Sequence, residues 1–164
     1  MPVRFGCALL ALLLLAGPVL AGGTAINVDS RGVAIDGYDT VAFFTPQGAT
    51  RGKPEFQAEW NGAVWYFASA ENRDAFLAEP GRYAPQYGGW CAYALSEGEY
   101  ASDTEPREAY TVVEGRLYLN WSRQVKRLWE RSAAERIGVA DGNWPAVERQ
   151  LHDGTAEVKL LPED

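Results

Sequence analysis

The sequence predicts a single small α+β domain in which a few antiparallel hairpins pack against two main helices. Two observations on the chain predict it, and its size agrees. Asn61-Gly62 separates the aromatic-rich runs at residues 56–60 and 63–67, and Glu114-Gly115 separates those at 110–113 and 116–119; such pairs between apolar runs are the strongest short-range hairpin signal. Each hairpin leads into a serine and then a helical stretch. The chain has 164 residues, and a domain of ~150 residues buries roughly 70% of its unfolded surface, enough for one real core.

Taken in order, residues 22–34 carry small side chains without a period and read as a flexible leader, and the domain proper is expected over 35–152. Ile35-Asp36-Gly37-Tyr38-Asp39 is turn chemistry centred on Asp-Gly;. Residues 41–44 read as a short apolar strand, closed by Thr45-Pro46. After the first hairpin, Ser69 is a good N-cap, with Glu71 and Asp74 where carboxylates oppose the helix dipole. That helix is expected from Ala70 to about Glu79, ending at Pro80.

Residues 83–89 read as a loop, 91–95 as a strand, and the acidic run 97–107 as an exposed connection. The second hairpin precedes a helix from about Ser122 to Ile137, whose apolar stripe is Val125, Leu128, Trp129, Ala133 and Ile137;. Trp144-Pro145 should start a last short helix to about Leu151, leaving 153–164 as a mobile tail.

Residues 1–21 have the layout of an export signal. Arg4 is the positive end, the apolar core runs from Cys7 to Leu15, and Val19-Leu20-Ala21 suits cleavage before Gly22;. The apolar stretch is short for a span of about 20 residues and is broken by Gly17-Pro18;. Cleavage leaves 143 residues with no second hydrophobic segment, so a soluble product is expected, in a bacterial periplasm. Loss of Arg4 leaves 14 basic against 22 acidic residues, a net charge of −8. That balance excludes nucleic acid and an anionic membrane as expected partners, since both call for a basic face.

Gly62, Val64, Ser69 and Phe76 recur 53 residues later as Gly115, Leu117, Ser122 and Trp129. Two readings are open: an old duplication of a strand-turn-strand-helix unit, or convergence of such units on the same residue types.

Trp65-Tyr66-Phe67-Ala68-Ser69, followed by Phe76, Pro80 and Tyr83, resembles the YHS domain. The flanks Asp36-Gly37-Tyr38-Asp39 with Val41-Ala42-Phe43-Phe44, then Tyr87-Gly88-Gly89-Trp90-Cys91-Ala92-Tyr93, and finally Trp144-Pro145, resemble the exported members of that family in bacteria. The resemblance covers roughly residues 35–145. It implies kinship with small metal-binding modules in which a cysteine follows the aromatic strand; Ala68 stands at that position here, and an earlier paired cysteine is also absent. The exported relatives are described as including selenocysteine proteins, which implies redox or soft-metal chemistry at Cys91 if selenocysteine occupies that position in them.

Cys91 is the single cysteine after the signal. In an exported chain such a thiol is inert by burial, paired between chains, or in use. Gly88 and Gly89 could turn backbone N–H groups toward a thiolate, and Arg82 is near in sequence. Trp90, Ala92 and Tyr93 are core-like, and free cysteine is among the most buried residue types. His152 is the only imidazole and is expected at the surface, so no recognised metal spacing is built. Asp36 and Asp39 read most simply as turn residues bonding their own backbone. A Ser-His-Asp enzyme is a poor fit to a single terminal histidine, and there is no phosphate-cradling loop. Arg123, Lys126, Arg127, Arg131 and Arg136 either face the acids of residues 97–114 or form a docking surface for an acidic partner.

The expected function is a periplasmic YHS-type binding or accessory protein. Its focus would be a groove at Cys91 lined by Tyr38, Asp39, Tyr87, Gly88, Gly89 and Trp90. The mechanism would be thiolate capture of a copper-like soft metal ion or of a redox partner, leaving open a protein or a small molecule as ligand. Two other readings remain: a thiol-dependent oxidoreductase with Cys91 as the attacking sulfur, and a structural or interaction module with Cys91 in the core.

Overall fold

A computed structural model describes residues 23–161; the expected export signal lies outside the described residues. The chain is a small α+β domain. Strands β1 (Lys53–Trp60) and β2 (Ala63–Phe67) form the first hairpin, with Trp60 opposite Ala63. Helices α1 (Ala70–Ala78), α2 (Pro80–Tyr83) and α3 (Ala92–Glu97) follow. After β3 (Ala101–Ser102) comes the second hairpin, β4 (Tyr110–Val113) and β5 (Arg116–Leu119), then α4 (Arg123–Glu130), α5 (Ala133–Asp153) and β6 (Val158–Lys159).

Both hairpins turn on two successive residues with positive φ, Asn61-Gly62 (50° and 76°) and Glu114-Gly115 (50° and 75°). That is the turn whose twist matches paired strands. Both helices that follow are capped by the expected serine: Ser69 Oγ accepts from the Asn72 N–H and Ser122 Oγ from the Val125 N–H, each at 3.3 Å. Their bulky aromatics, Phe76 and Trp129, are fully buried. Phe76 packs against Trp65 and Phe67, each 5.1 Å away between ring centroids, and Trp129 packs against Tyr118, also at 5.1 Å.

The repetition extends upstream of the hairpins. Ile35, Asp36 and Gly37 all have positive φ (53°, 51°, 73°), and so do Tyr87, Gly88 and Gly89 (57°, 61°, 85°). The Tyr38 N–H then bonds the Ile35 carbonyl at 2.9 Å, as Trp90 bonds Tyr87 at 3.0 Å. The Asp39 N–H bonds the Thr50 carbonyl and the Cys91 N–H bonds the Ser102 carbonyl, both at 2.8 Å. The two halves are thus built alike from turn to helix, with Asp39 and Cys91 at matching positions. Their cores interlock: Leu117 and Leu119 of β5 face the first core with Trp65, Phe67 and Phe76, while Tyr118 between them faces the second with Trp90 and Trp129.

Several elements depart from expectation. Residues 41–44 form a 3-10 turn (Ala42–Phe44) rather than a strand, because the Asp39 carboxylate takes the N–H groups of Val41 and Ala42 and curls the chain. Residues 91–95 enter a helix, not a strand; a short apolar run has no period to separate the two, and its alanines favour helix;. The expected helix 122–137 breaks where Ser132 leaves the helical region (φ −145°, ψ 43°). The expected short helix at Pro145 is instead the second half of α5, which runs through the proline. Burial of Val147 and packing of Trp144 and Leu151 on the second core offset a penalty of about 3 kcal/mol.

Both expected loose ends are tied down. Residues 22–34 are not a free leader where described: Ile26, Val33 and Ala34 are buried, the Asn27 N–H bonds the Gly88 carbonyl at 2.8 Å, and Trp90 Nε1 donates to Ala25 O at 2.9 Å. In the tail, β6 pairs in parallel with β3, so the 97–107 connection is a strand edge with Ala101, Ser102 and Thr104 buried. The basic helix region answers the acidic run directly, through Arg123–Glu108 and Arg136–Glu97, both at 2.7 Å. No helix among the described residues is long and apolar enough to cross a membrane.

Gly138 lies inside α5 with open space where a Cβ would stand. Gly138→Ala is therefore expected to raise stability by about 0.5–1 kcal/mol, read as a higher urea midpoint with an unchanged slope.

Candidate functional site

Two sites correspond to each other. In the first half Asp39 is fully buried, and every contact of its carboxylate is a donor. Oδ1 accepts from Val41 N–H (2.9 Å) and Ala42 N–H (3.2 Å); Oδ2 accepts from Ala68 N–H (2.8 Å) and Asn72 Nδ2 (2.6 Å). The carboxylate ties the turn at residue 38, the end of β2 and the first turn of α1 into one unit.

In the second half Cys91 takes that place. Its Sγ accepts the Trp121 N–H at 3.3 Å, and Trp121 precedes Ser122 as Ala68 precedes Ser69. The Asn120 side chain lies alongside, with Oδ1 3.0 Å from the Tyr93 N–H and 3.8 Å from Sγ. Asn120 is fully buried, and its Nδ2 has no hydrogen-bond partner among the described residues.

Burial pushes the Cys91 thiol above its usual pKa, and the backbone N–H groups of Ala94, Trp121 and Tyr93 only partly offset it. The residue is 1% exposed. It nevertheless lines a pocket of about 200 Å³ whose other walls include Tyr93, Tyr100, Trp121 and Val125, with Lys159 at one side. The Lys159 ammonium rests 4.0 Å over the Tyr100 ring. A protonated thiol among aromatic walls can bind a soft or apolar group, but it is a slow nucleophile at neutral pH.

The groove expected around Cys91 does not assemble. Asp39 is enclosed as described. Tyr38 lines a separate cleft of about 560 Å³ with Asp36, Arg51, Asp103 and Glu105, where the Arg51 guanidinium lies 4.2 Å over its ring. Tyr87 is in the second core, its hydroxyl donating to Asp141 Oδ1 at 2.8 Å. Gly88 and Gly89 make the turn: the Gly88 carbonyl accepts from Asn27, that of Gly89 from Thr104 Oγ1 at 3.1 Å. A Cβ at Gly88 would meet the Ala25 carbonyl oxygen at 2.3 Å, so close packing requires that glycine. Trp90 is core. Of the residues expected in the groove, Cys91 alone lines the pocket. Arg82 pairs with Glu79 at 3.3 Å, and His152 Nδ1 contacts the Gly23 carbonyl at 2.6 Å.

Tyr93, Tyr100, Asn120, Trp121, Val125 and Lys159 were not anticipated. The 53-residue repetition held the signal for two of them: Ala68 maps onto Trp121 and Asn72 onto Val125. Lys159 arrives through the β3–β6 pairing, which no local pattern announces. Among the described residues no group of three or more His, Cys, Asp or Glu side chains is placed to hold a metal ion. Around the sulfur stand backbone N–H groups and one amide, which do not fit a resident metal centre.

The chain matches no family model, no curated protein and no solved structure.

Two outcomes are expected here. Asp39→Ala leaves four donors without their acceptor in the core and should cost more than about 2 kcal/mol, measured by urea unfolding. Stability should also fall on the alkaline side. Cys91, Tyr87 and Tyr118 are all raised, each chiefly by burial, so the fold holds their protons more tightly than the unfolded chain does. Their contribution is full below the unfolded values, about 8.5 for a thiol and 10 for tyrosine, and is lost as pH climbs through the folded ones. In Cys91→Ser the part of that loss beginning in the thiol range should vanish while the tyrosine part remains.

Proposed function

We propose that this chain is an exported, YHS-type binding module whose working group is the Cys91 thiol, and that the pocket beside it takes a small, mostly apolar ligand. The observation that carries the reading is the placement of the domain's single cysteine in the wall of an aromatic pocket. Elsewhere in the described core, buried side chains are enclosed by other side chains. Here Tyr93, Tyr100, Trp121 and Val125 leave about 200 Å³ beside the sulfur, a volume suited to a few heavy atoms rather than a cofactor. The export pattern of residues 1–21 supports a periplasmic setting, and the YHS motifs support the family; both rest on sequence.

The raised thiol favours binding over nucleophilic turnover, because the attacking species is the thiolate;. It therefore weighs against a thiol-dependent oxidoreductase. A structural role draws on one observation, the 1% exposure of Cys91.

Alkylation of the folded, processed protein separates the readings. A small neutral reagent such as iodoacetamide should label Cys91 without unfolding, at a rate that keeps rising past the usual thiol pKa, while a bulky charged reagent should not. Cys91→Ser should abolish labelling with little loss of stability. Labelling by the small reagent only in denaturant would make Cys91 a core residue and end the binding reading.

A further inference from the structure

The correspondence between the two halves says what the cradle at Cys91 is shaped to hold. Its counterpart holds a carboxylate, two oxygens sharing one negative charge, met by backbone N–H groups from the residues after it, by the Ala68 N–H and by the Asn72 amide. The second half repeats the preceding turn, the N–H bond to the facing carbonyl and the N–H from the residue before the serine cap. It places a thiol where the carboxylate would be. One donor is then left over: Asn120 is fully buried, its carboxamide reaches the sulfur, and its Nδ2 finds no acceptor among the described residues. A buried amide N–H without a partner costs roughly 1–3 kcal/mol, so an acceptor arriving at that sulfur would be stabilised.

We propose that Cys91 is an oxidation site whose held product is the sulfinate. A cysteine sulfinate has the two oxygens and single charge of an aspartate side chain, so the oxidised residue reproduces Asp39 in the matching cradle. One oxygen faces the Trp121 N–H and the other the Asn120 amide. The oxidant is hydrogen peroxide, small enough for the pocket; to this extent the proposal rests on the reading that the pocket gives access to the sulfur. In the first step the thiolate sulfur attacks one peroxide oxygen. An S–O bond forms, the O–O bond breaks, and the departing hydroxide takes a proton and leaves as water, giving the sulfenic acid. A second peroxide repeats the step on the sulfenate. Across both steps the sulfur loses four electrons, two peroxides become two waters, and the sulfinic acid ionises to solvent. Cys91 is the only cysteine among the described residues, so no neighbouring thiol diverts the sulfenic acid into a disulfide.

The test has two arms. The processed protein is titrated with hydrogen peroxide from neutral to alkaline pH and followed by peptide mass mapping and thermal unfolding. Separately, Cys91→Asp and Cys91→Ser are compared by thermal unfolding. Expected are a gain of two oxygens on the Cys91 peptide with no third, an unfolding temperature no lower than that of the reduced protein, and an aspartate variant at least as stable as the serine variant. A thiol that survives peroxide overturns the proposal. So do oxidation that runs on to three oxygens, a sulfinate that unfolds the protein, and an aspartate variant that melts well below the serine variant. If iodoacetamide labels Cys91 while peroxide does not, this proposal fails and the binding reading stands. If neither reagent reaches the folded thiol, both fall.

Discussion

The Asp39 carboxylate is the interaction on which the first half is organised. It is fully buried, yet all of its hydrogen bonds come from donors that would otherwise lack partners: two N–H groups of the following turn, the N–H at the end of β2 and the Asn72 amide. Burying a charge is costly unless it is hydrogen-bonded on all sides. Here the carboxylate meets that condition and fixes where three segments converge. The run Val41 to Phe44 follows from it. An apolar tetrapeptide with strand-like composition becomes a 3-10 turn because its first two N–H groups are claimed by a side chain two and three residues back;.

The same plan in the second half explains why the molecule is one domain. Each half could not close its own core. Leu117 and Leu119 lie among Trp65, Phe67 and Phe76, while Tyr118 turns to Trp129 on the other side, so β5 serves both cores by the alternation of a strand. The leader and the tail complete this arrangement. Ile26 enters the first core and Ala25 accepts from Trp90 of the second, and β6 covers the edge of β3. An unpaired strand edge and an unfilled seam are both unfavourable, and the terminal segments remove them.

What the sequence discloses tracks how local the cause is. Asn61-Gly62, Glu114-Gly115, Ser69 and Ser122 act through their own backbone, and the hairpins and helix starts they imply are present. Cys91 to Leu95 and Pro145 were decided by what packs on them, and local pattern misread both. The site divides the same way. Cys91 was legible as the lone thiol of a processed chain, but its groove was not, because Tyr38, Tyr87 and Trp90 are drawn into cores and contacts set by distant residues: Arg51, Asp141 and Ala25. The repetition noticed at Gly62 and Gly115 would have found Trp121 had it been carried back to Asp39 and Cys91.

The exchange of carboxylate for thiol between the halves has a physical consequence. A carboxylate at residue 91 would be charged at any ordinary pH, and the nearby Asp103 carboxylate already acts against negative charge on Cys91. The second half also lacks the amide of Asn72, since Val125 stands at that place and opens onto the pocket. A thiol suits such a surrounding because it is neutral until something removes its proton or adds oxygen to it. The cradle keeps the Trp121 N–H and an Asn120 amide with an unused donor, so the capacity to hold an anion persists although the resting group is uncharged. The first half is thus fixed in its charged form by a complete set of donors. The second has a neutral occupant, an unspent donor and a small opening beside it, and the chemical difference between two otherwise matching halves is concentrated at this one side chain.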